Sequence, residues 1–193
     1  MLKRLLDIFT ATLALVMLAI PLAVIALRIR RTSPGGAIFR QQRVGRGGRL
    51  FTLYKFRTMR PGGDPYGQSP QSPDDPRLTR IGRFLRETSL DELPQLLNVL
   101  AGDMSIVGPR PLYLRQAETW SHRQRRRLDV RPGLTGYAQV FGRGQVSHED
   151  KIEMDVYYVE NRTLWMDARL VLRTAWNVIV RPGDIYEREK PKP

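Results

Sequence analysis

Ile8 to Leu27, IFTATLALVMLAIPLAVIAL, is twenty residues without a charged side chain. At about 1.5 Å of rise per residue, a helix over this run reaches roughly 30 Å, the thickness of a bilayer's hydrocarbon core. A cleaved signal peptide is disfavoured, because no small-x-small cleavage pattern precedes Arg28. A simple spanning helix is disfavoured by the flanks. Lys3 and Arg4 come before the run and Arg28, Arg30 and Arg31 after it, and basic flanks favour the cytoplasmic side. Pro21 satisfies both ends. Inside a helix it deletes a backbone hydrogen bond and clashes with the preceding turn, kinking the segment. The expectation is a membrane-embedded re-entrant helix hairpin over residues 1–31 that breaks at Pro21 and returns to the same face.

The remaining chain has room for one domain, over residues 32–185, followed by a disordered Pro-rich tail at 186–193. Lys and Arg number 32 against 19 Asp and Glu, a net charge of +13. That surplus points to anionic partners: nucleic acid, phosphorylated substrates or an anionic membrane surface. There is no cysteine, which excludes disulfides and thiol chemistry. The two histidines, His122 and His148, belong to no zinc-ligand cluster.

Arg86 to Pro111, RETSLDELPQLLNVLAGDMSIVGPRP, concentrates the candidate chemistry. Leu93, Leu96, Leu97 and Leu100 recur at helical spacing and predict a buried stripe. Ser89 reads as the N-cap, with Glu92 three residues on completing a capping box. Asp91 and Glu92 then stand at a helix start, where free N–H groups favour negative charge. Capping alone would account for such a pair. Pro94 stiffens the same turn, however, and Gly102 ends the helix. Arg110 is held between Pro109 and Pro111, a guanidinium fork suited to phosphate. Carboxylates beside rigid arginines suggest a metal and phosphate site.

Upstream, Ala37 to Val44 and Leu50 to Phe56 read as two strands joined by Gly45-Arg46-Gly47-Gly48. Phe51, Leu53, Lys55 and Arg57 share one face of the second strand, so Lys55 extends an apolar face. Arg60 to Pro76 is a Pro/Gly-rich loop of the kind that covers active sites. Arg77 to Arg86 reads as a basic helix with Leu78, Ile81 and Leu85 inward. Tyr113 to Val130 is predicted helical, with Arg123, Arg125, Arg126 and Arg127 clustered on it. Gly133 to Phe141 is predicted extended. On a helix over Glu149 to Glu160, Asp155 falls within the apolar stripe of Ile152, Val156 and Val159, so a cation or a ligand must meet it. Trp165 to Val180 suits a core helix or an interfacial one equally.

Five ordered stretches carry a family likeness: KRLLDIF, YKFRTM, DPRLTRIGRFLRETSLDELPQLLNVLAGDMSIVGPRPL, RPGLTGYAQV and MDVYYVEN. Together they resemble the monotopic phosphoglycosyl transferases, bacterial sugar transferases of polyprenyl-phosphate pathways, over nearly the whole chain. The resemblance implies an α+β, mostly helical fold with the re-entrant helix, a short β-hairpin and amphipathic interfacial helices. It implies the bacterial inner membrane, with the catalytic face in the cytoplasm and anionic lipids around it. The implied reaction moves a sugar-1-phosphate from a UDP-sugar to polyprenyl (undecaprenyl) phosphate, releases UMP, and initiates a glycoconjugate such as an exopolysaccharide. Asp91 is the implied nucleophile, forming an aspartyl-phosphosugar intermediate, with Glu92 beside it and Mg²⁺ held at Asp91. Lys55, Arg86, Pro109, Arg110, Pro111, Arg143 and Asp155 fall on substrate- and phosphate-binding positions. A homo-oligomer is compatible with the resemblance. Relatives often carry Ser-Pro at the membrane break, where this chain has Ile20-Pro21.

That chemistry suits the residues. A carboxylate attacking a diphosphate meets like-charge repulsion, which Mg²⁺ and Arg/Lys clamps relieve. A retaining glycosidase is ruled out by geometry: adjacent helical residues point about 100° apart, whereas a glycosidase pair flanks one bond. Two other classes fit the charge, a non-catalytic membrane-tethered scaffold and a basic nucleic-acid-binding module. No nucleic-acid motif is present, so no nucleic-acid partner is expected.

Overall fold

A two-stranded antiparallel hairpin and a row of helices meet around residues 86–112 in the computed structural model, which describes residues 1–180 except 63, 65, 66, 68, 71 and 143–145. The hairpin is β1 (Ile38–Val44) and β2 (Leu50–Phe56), with Arg43 opposite Phe51, Gln41 opposite Leu53 and Phe39 opposite Lys55. Both strands match the expected runs, and Phe51 and Leu53 are buried.

The N-terminal segment forms two helices, α1 (Leu2–Met17) and α2 (Ala19–Thr32), bent by 64°. No single helix among the described residues is long and apolar enough to cross a membrane; this bent pair passes by length and composition together. The axis breaks at Leu18, three residues before Pro21, as a proline acts on the turn preceding it. An apolar face including Phe9, Leu13, Val16, Ile20 and Val24 stays exposed. Both ends nevertheless pack on the rest of the chain. Ala11 joins Phe51, Leu53, Leu96, Val99 and Met104 in one core cluster, and Ile29 joins Ala37, Phe56 and Leu85 in another.

The basic helix is α3 (Arg80–Glu87), opened by Thr79, whose hydroxyl accepts from the Gly82 N–H. Leu85 is fully buried, while Leu78 lies ahead of the helix in a bridge to Met59. Next comes a 3₁₀ turn at Leu90–Glu92 and then α4 (Gln95–Ala101), closed by Gly102 at φ 95°, a left-handed cap that glycine adopts without strain. The short strand β3 (Ser105–Val107) pairs in parallel with β4 (Gly133–Thr135). A Cβ on Gly108 would sit 2.4 Å from the Arg131 carbonyl oxygen, so glycine is required where these two segments touch.

Two sequence expectations fail here for local reasons. Tyr113–Val130 is no single helix but α5 (Leu114–Glu118), α6 (His122–Arg125) and a 3₁₀ turn at Arg126–Asp129. Ser121 restarts the chain: its hydroxyl accepts from Gln124 N–H while the Gln124 side chain accepts from Ser121 N–H. Gly133–Phe141 is extended only to Thr135. Gly136 then opens α7 (Tyr137–Phe141), whose first and last rings meet four residues apart at 4.8 Å, tilted by 52°, a contact that helical spacing provides.

The C-terminal helices are α8 (His148–Asn161) and α9 (Leu164–Val180). α9 serves two environments. Leu170 and Asn177 are buried, and Thr135 and Thr174 hydroxyls meet at 2.6 Å; Trp165, Leu172 and Trp176 on its other side are exposed.

Candidate active site

Asp91 reaches its position through backbone strain rather than through a cap. Ser89 has φ 57° and its side chain caps nothing, so the expected capping box does not form. Pro94 is the reason. It has no N–H to continue an α-helical ladder through Leu90, so the chain takes a 3₁₀ turn and restarts at Gln95. A non-glycine residue in the left-handed region costs on the order of 1 kcal/mol or more and is typically kept at functional sites. The leucine stripe holds at Leu96, which is buried, and at Leu93 and Leu100, which pack against the same core. Leu97 instead faces outward, half exposed.

The dyad is asymmetric. Glu92 Oε1 accepts from Lys55 Nζ at 2.7 Å and from Arg110 Nη2 at 2.9 Å. Burial opposes its charge, but Arg110 and Lys55 together outweigh burial and hold the carboxyl well below the usual carboxylate range. Asp91 is 7% exposed, and among the described residues no hydrogen bond or ion pair engages its carboxylate. Burial pushes it up to about 6 against the pull of Lys55, Arg86 and Arg110.

Lys55 meets the dyad because β2 is tied to α4. The buried Asn98 donates to the Thr52 carbonyl at 2.7 Å and accepts from the Tyr54 N–H at 3.1 Å. A cleft lined by Arg43, Lys55, Glu92, Gln95, Arg110 and Pro111 results. Asp155 stands beneath it and not on its wall. Its Oδ2 accepts from Arg127 Nη2 at 2.5 Å, and the same nitrogen donates to the Arg110 carbonyl at 2.7 Å. Both side chains are almost fully buried, and Arg127 also lies over the Trp120 ring, 4.7 Å from its centroid. Burial pushes Asp155 up to about 6 and draws Arg127 down. Pro109 accepts from Gly133 N–H at 2.9 Å, fixing the other side of Arg110. Arg143 lies outside the described residues.

The sequence profile of bacterial sugar transferases matches residues 1–181. The chain belongs to this family. It is 45% identical over 186 residues to the uncharacterized sugar transferase EpsL of Bacillus subtilis, covering 94% of this chain and 89% of EpsL. It is 46% identical over 182 residues to the UDP-glucose:undecaprenyl-phosphate glucose-1-phosphate transferase of Caulobacter vibrioides, covering 89% of this chain and 67% of that protein. With the undecaprenyl-phosphate galactose phosphotransferase of Salmonella typhimurium it shares 43% identity over 198 residues, 94% of this chain but 41% of the relative. This sugar transferase thus spans less than half the length of some relatives it matches.

Four residues of this family member at or under the cleft escape motif reading. Asn98 and Gln95 look like ordinary helix residues, Arg127 hides in a charge run, and Arg43 sits in a strand. Arg43 alone had a usable signal: by the two-residue period it shares a sheet face with Lys55 across the hairpin. The Arg123 and Arg126 members of the basic run form surface ion pairs with Glu153 and Glu160 of α8, as a solvated face does.

Proposed function

We propose that this sugar transferase moves a sugar-1-phosphate from a UDP-sugar to polyprenyl (undecaprenyl) phosphate, through a covalent intermediate on Asp91. The observation that carries the proposal is the asymmetric dyad: a buried Asp91 carboxylate without a partner among the described residues, beside a Glu92 that gathers Lys55 and Arg110. An Asp91 oxygen attacks the sugar-bearing phosphorus, and the bond from that phosphorus to the bridging oxygen breaks. UMP leaves with the electron pair. An oxygen of the lipid phosphate then attacks the same phosphorus, and Asp91 leaves as a carboxylate.

Lys55, Arg86 and Arg110 lower the electrostatic cost of bringing an anion to Asp91, a role that extends to Arg143. Pro109 and Pro111 keep Arg110 aimed, and Asp155 supports it through Arg127. Among the described residues no group of three or more Asp, Glu, His or Cys could cage a metal. That fits Mg²⁺, which favours one or two carboxylates completed by substrate phosphates and water, and Asp91 is the carboxylate to hold it. When bound, Mg²⁺ would neutralise diphosphate charge. The exposed apolar faces of α1, α2 and α9 support a reading in which the reaction runs at the inner face of the bacterial cytoplasmic membrane.

Incubating the purified protein with a panel of UDP-sugars and Mg²⁺, without lipid, tests the reading. UMP release and a protein mass raised by one phosphosugar are expected, both lost in Asp91→Asn. A mass adduct that persists in Asp91→Asn would overturn the assignment of the nucleophile; UMP release only when polyprenyl phosphate is added would replace two steps by direct transfer.

A further inference from the structure

Arg43 lines the same cleft as Lys55, Glu92, Gln95, Arg110 and Pro111. Its guanidinium lies 3.5 Å from the centroid of the Tyr113 ring, and Nη2 donates to Gln41 Oε1 at 2.5 Å. Nε is buried without a hydrogen-bond partner. A guanidinium stacked on an aromatic ring and tied at one nitrogen is oriented, with donors left over.

Its charge is not balanced locally. Lys55 and Arg110 share the Glu92 carboxylate, whereas no ion pair engages Arg43 among the described residues and its hydrogen-bond partners there, Gln41 and Tyr113, are neutral side chains. Burial draws its pKa down to about 10, which leaves it charged at neutral pH. A half-buried cation without a counter-ion is unfavourable unless an anion is brought to it.

The position on the cleft selects which anion. The field at Asp91 is dominated by Lys55, Glu92, Arg86 and Arg110. Arg43 lies opposite Phe51, four residues along the hairpin from the Phe39–Lys55 pair, or roughly 13 Å at about 3.3 Å per residue, which anchors it toward the Tyr113 end of the cleft and away from Lys55. A UDP-sugar has two phosphates: one is attacked, and the other departs with the nucleotide.

We propose that Arg43, braced by Tyr113, binds the phosphate that leaves as UMP, while Lys55, Arg86 and Arg110 serve the phosphorus that Asp91 attacks. This rests on the donor reading proposed above and assigns within it a residue that no sequence motif marks.

Calorimetric titration of UMP into the detergent-solubilised full chain tests it, using wild type, Arg43→Met, Arg43→Lys and the surface variant Arg123→Met. Wild type and Arg123→Met should bind UMP alike. Arg43→Met should bind it roughly 10- to 100-fold more weakly and Arg43→Lys to an intermediate degree, because one charge-assisted contact is lost or loses its fork geometry. In Arg43→Met, KM for the UDP-sugar and the UMP inhibition constant should rise by the same factor. Transfer of an already formed adduct to polyprenyl phosphate should keep its rate, since UMP has gone by then. Equal UMP affinity in wild type and Arg43→Met overturns the assignment, as does a raised KM with unchanged UMP affinity. Wild-type protein that neither binds UMP nor releases it from any UDP-sugar overturns the donor reading, and this assignment with it. If circular dichroism shows Arg43→Met unfolded, Arg43→Lys decides: UMP affinity equal to wild type overturns the proposal.

Discussion

Burial raises Asp91 to about 6, while Arg110 and Lys55 overcome burial at Glu92 and hold it below the ordinary range. A folded-state pKa raised above the unfolded value favours the neutral acid in the fold. The associated stability is fully present below about pH 4 and is lost as pH rises through about 6. Nucleophilic attack needs the opposite, ionised form. The pH profile of kcat/KM for UMP release should therefore show an acidic limb near 6, reporting the dyad as a coupled pair. Lys55→Met removes the cation that most lowers Asp91 and should move the limb to higher pH. A limb near 4, or one unmoved in Lys55→Met, would contradict this account of the site. The dyad was visible in the sequence, but its asymmetry was not. It depends on which neighbour Lys55 and Arg110 choose, and that is settled by Ser89 in a left-handed conformation and by Asn98 joining strand to helix.

At the scale of elements, the hairpin and α8 were legible because each buries one face, and burial writes a period into the sequence. Asp155 announced itself by interrupting such a stripe. Its partner did not: Arg127 is one of five consecutive residues, Arg123 to Arg127, four of them arginine, and only the 3₁₀ turn that ends α6 rotates it inward. The three-residue pair β3 and β4 is too short to carry a period at all. The Arg127–Asp155 pair has a measurable consequence. Asp155→Leu leaves a buried unpaired guanidinium and should cost about 3–5 kcal/mol, lowering Tm on the order of 10 °C. Because burial of both charges offsets their attraction, Asp155→Leu combined with Arg127→Met should recover most of that stability. Activity should be low in the double variant, since Arg127→Met removes the donor to the Arg110 carbonyl. Thermal melts beside UMP-release rates check both; full activity in the double variant would show that the brace does not position Arg110.

Across the whole molecule, both ends of the apolar segment dock on one body. Lys3 Nζ meets Asp167 at 2.6 Å, and Arg4 donates to the Val99 and Leu100 carbonyls that end α4. At the far end, Ile29 packs against Ala37, Phe56 and Leu85. A pair bent by 64° with both ends so held supports a hairpin that returns to its starting side. The cysteine-free sequence allows a clean check. Single-cysteine variants Leu2→Cys and Thr32→Cys should both resist a membrane-impermeant maleimide in intact cells and both react in inverted vesicles. Opposite behaviour of the two positions would establish a spanning helix.

The Asp7 carboxylate, buried in α1, accepts from the Ser105 hydroxyl at 2.9 Å and the Ile106 N–H at 3.0 Å. Tyr158 bonds to Asp167 and to the Val107 carbonyl on the same strand. β3 leads directly into Pro109-Arg110-Pro111, so α1 and the segment that carries Arg110 share one set of fasteners. Under the reaction proposed above, α1 then acts as a spacer, setting the height at which a water-soluble sugar nucleotide and a lipid confined to the bilayer meet Asp91.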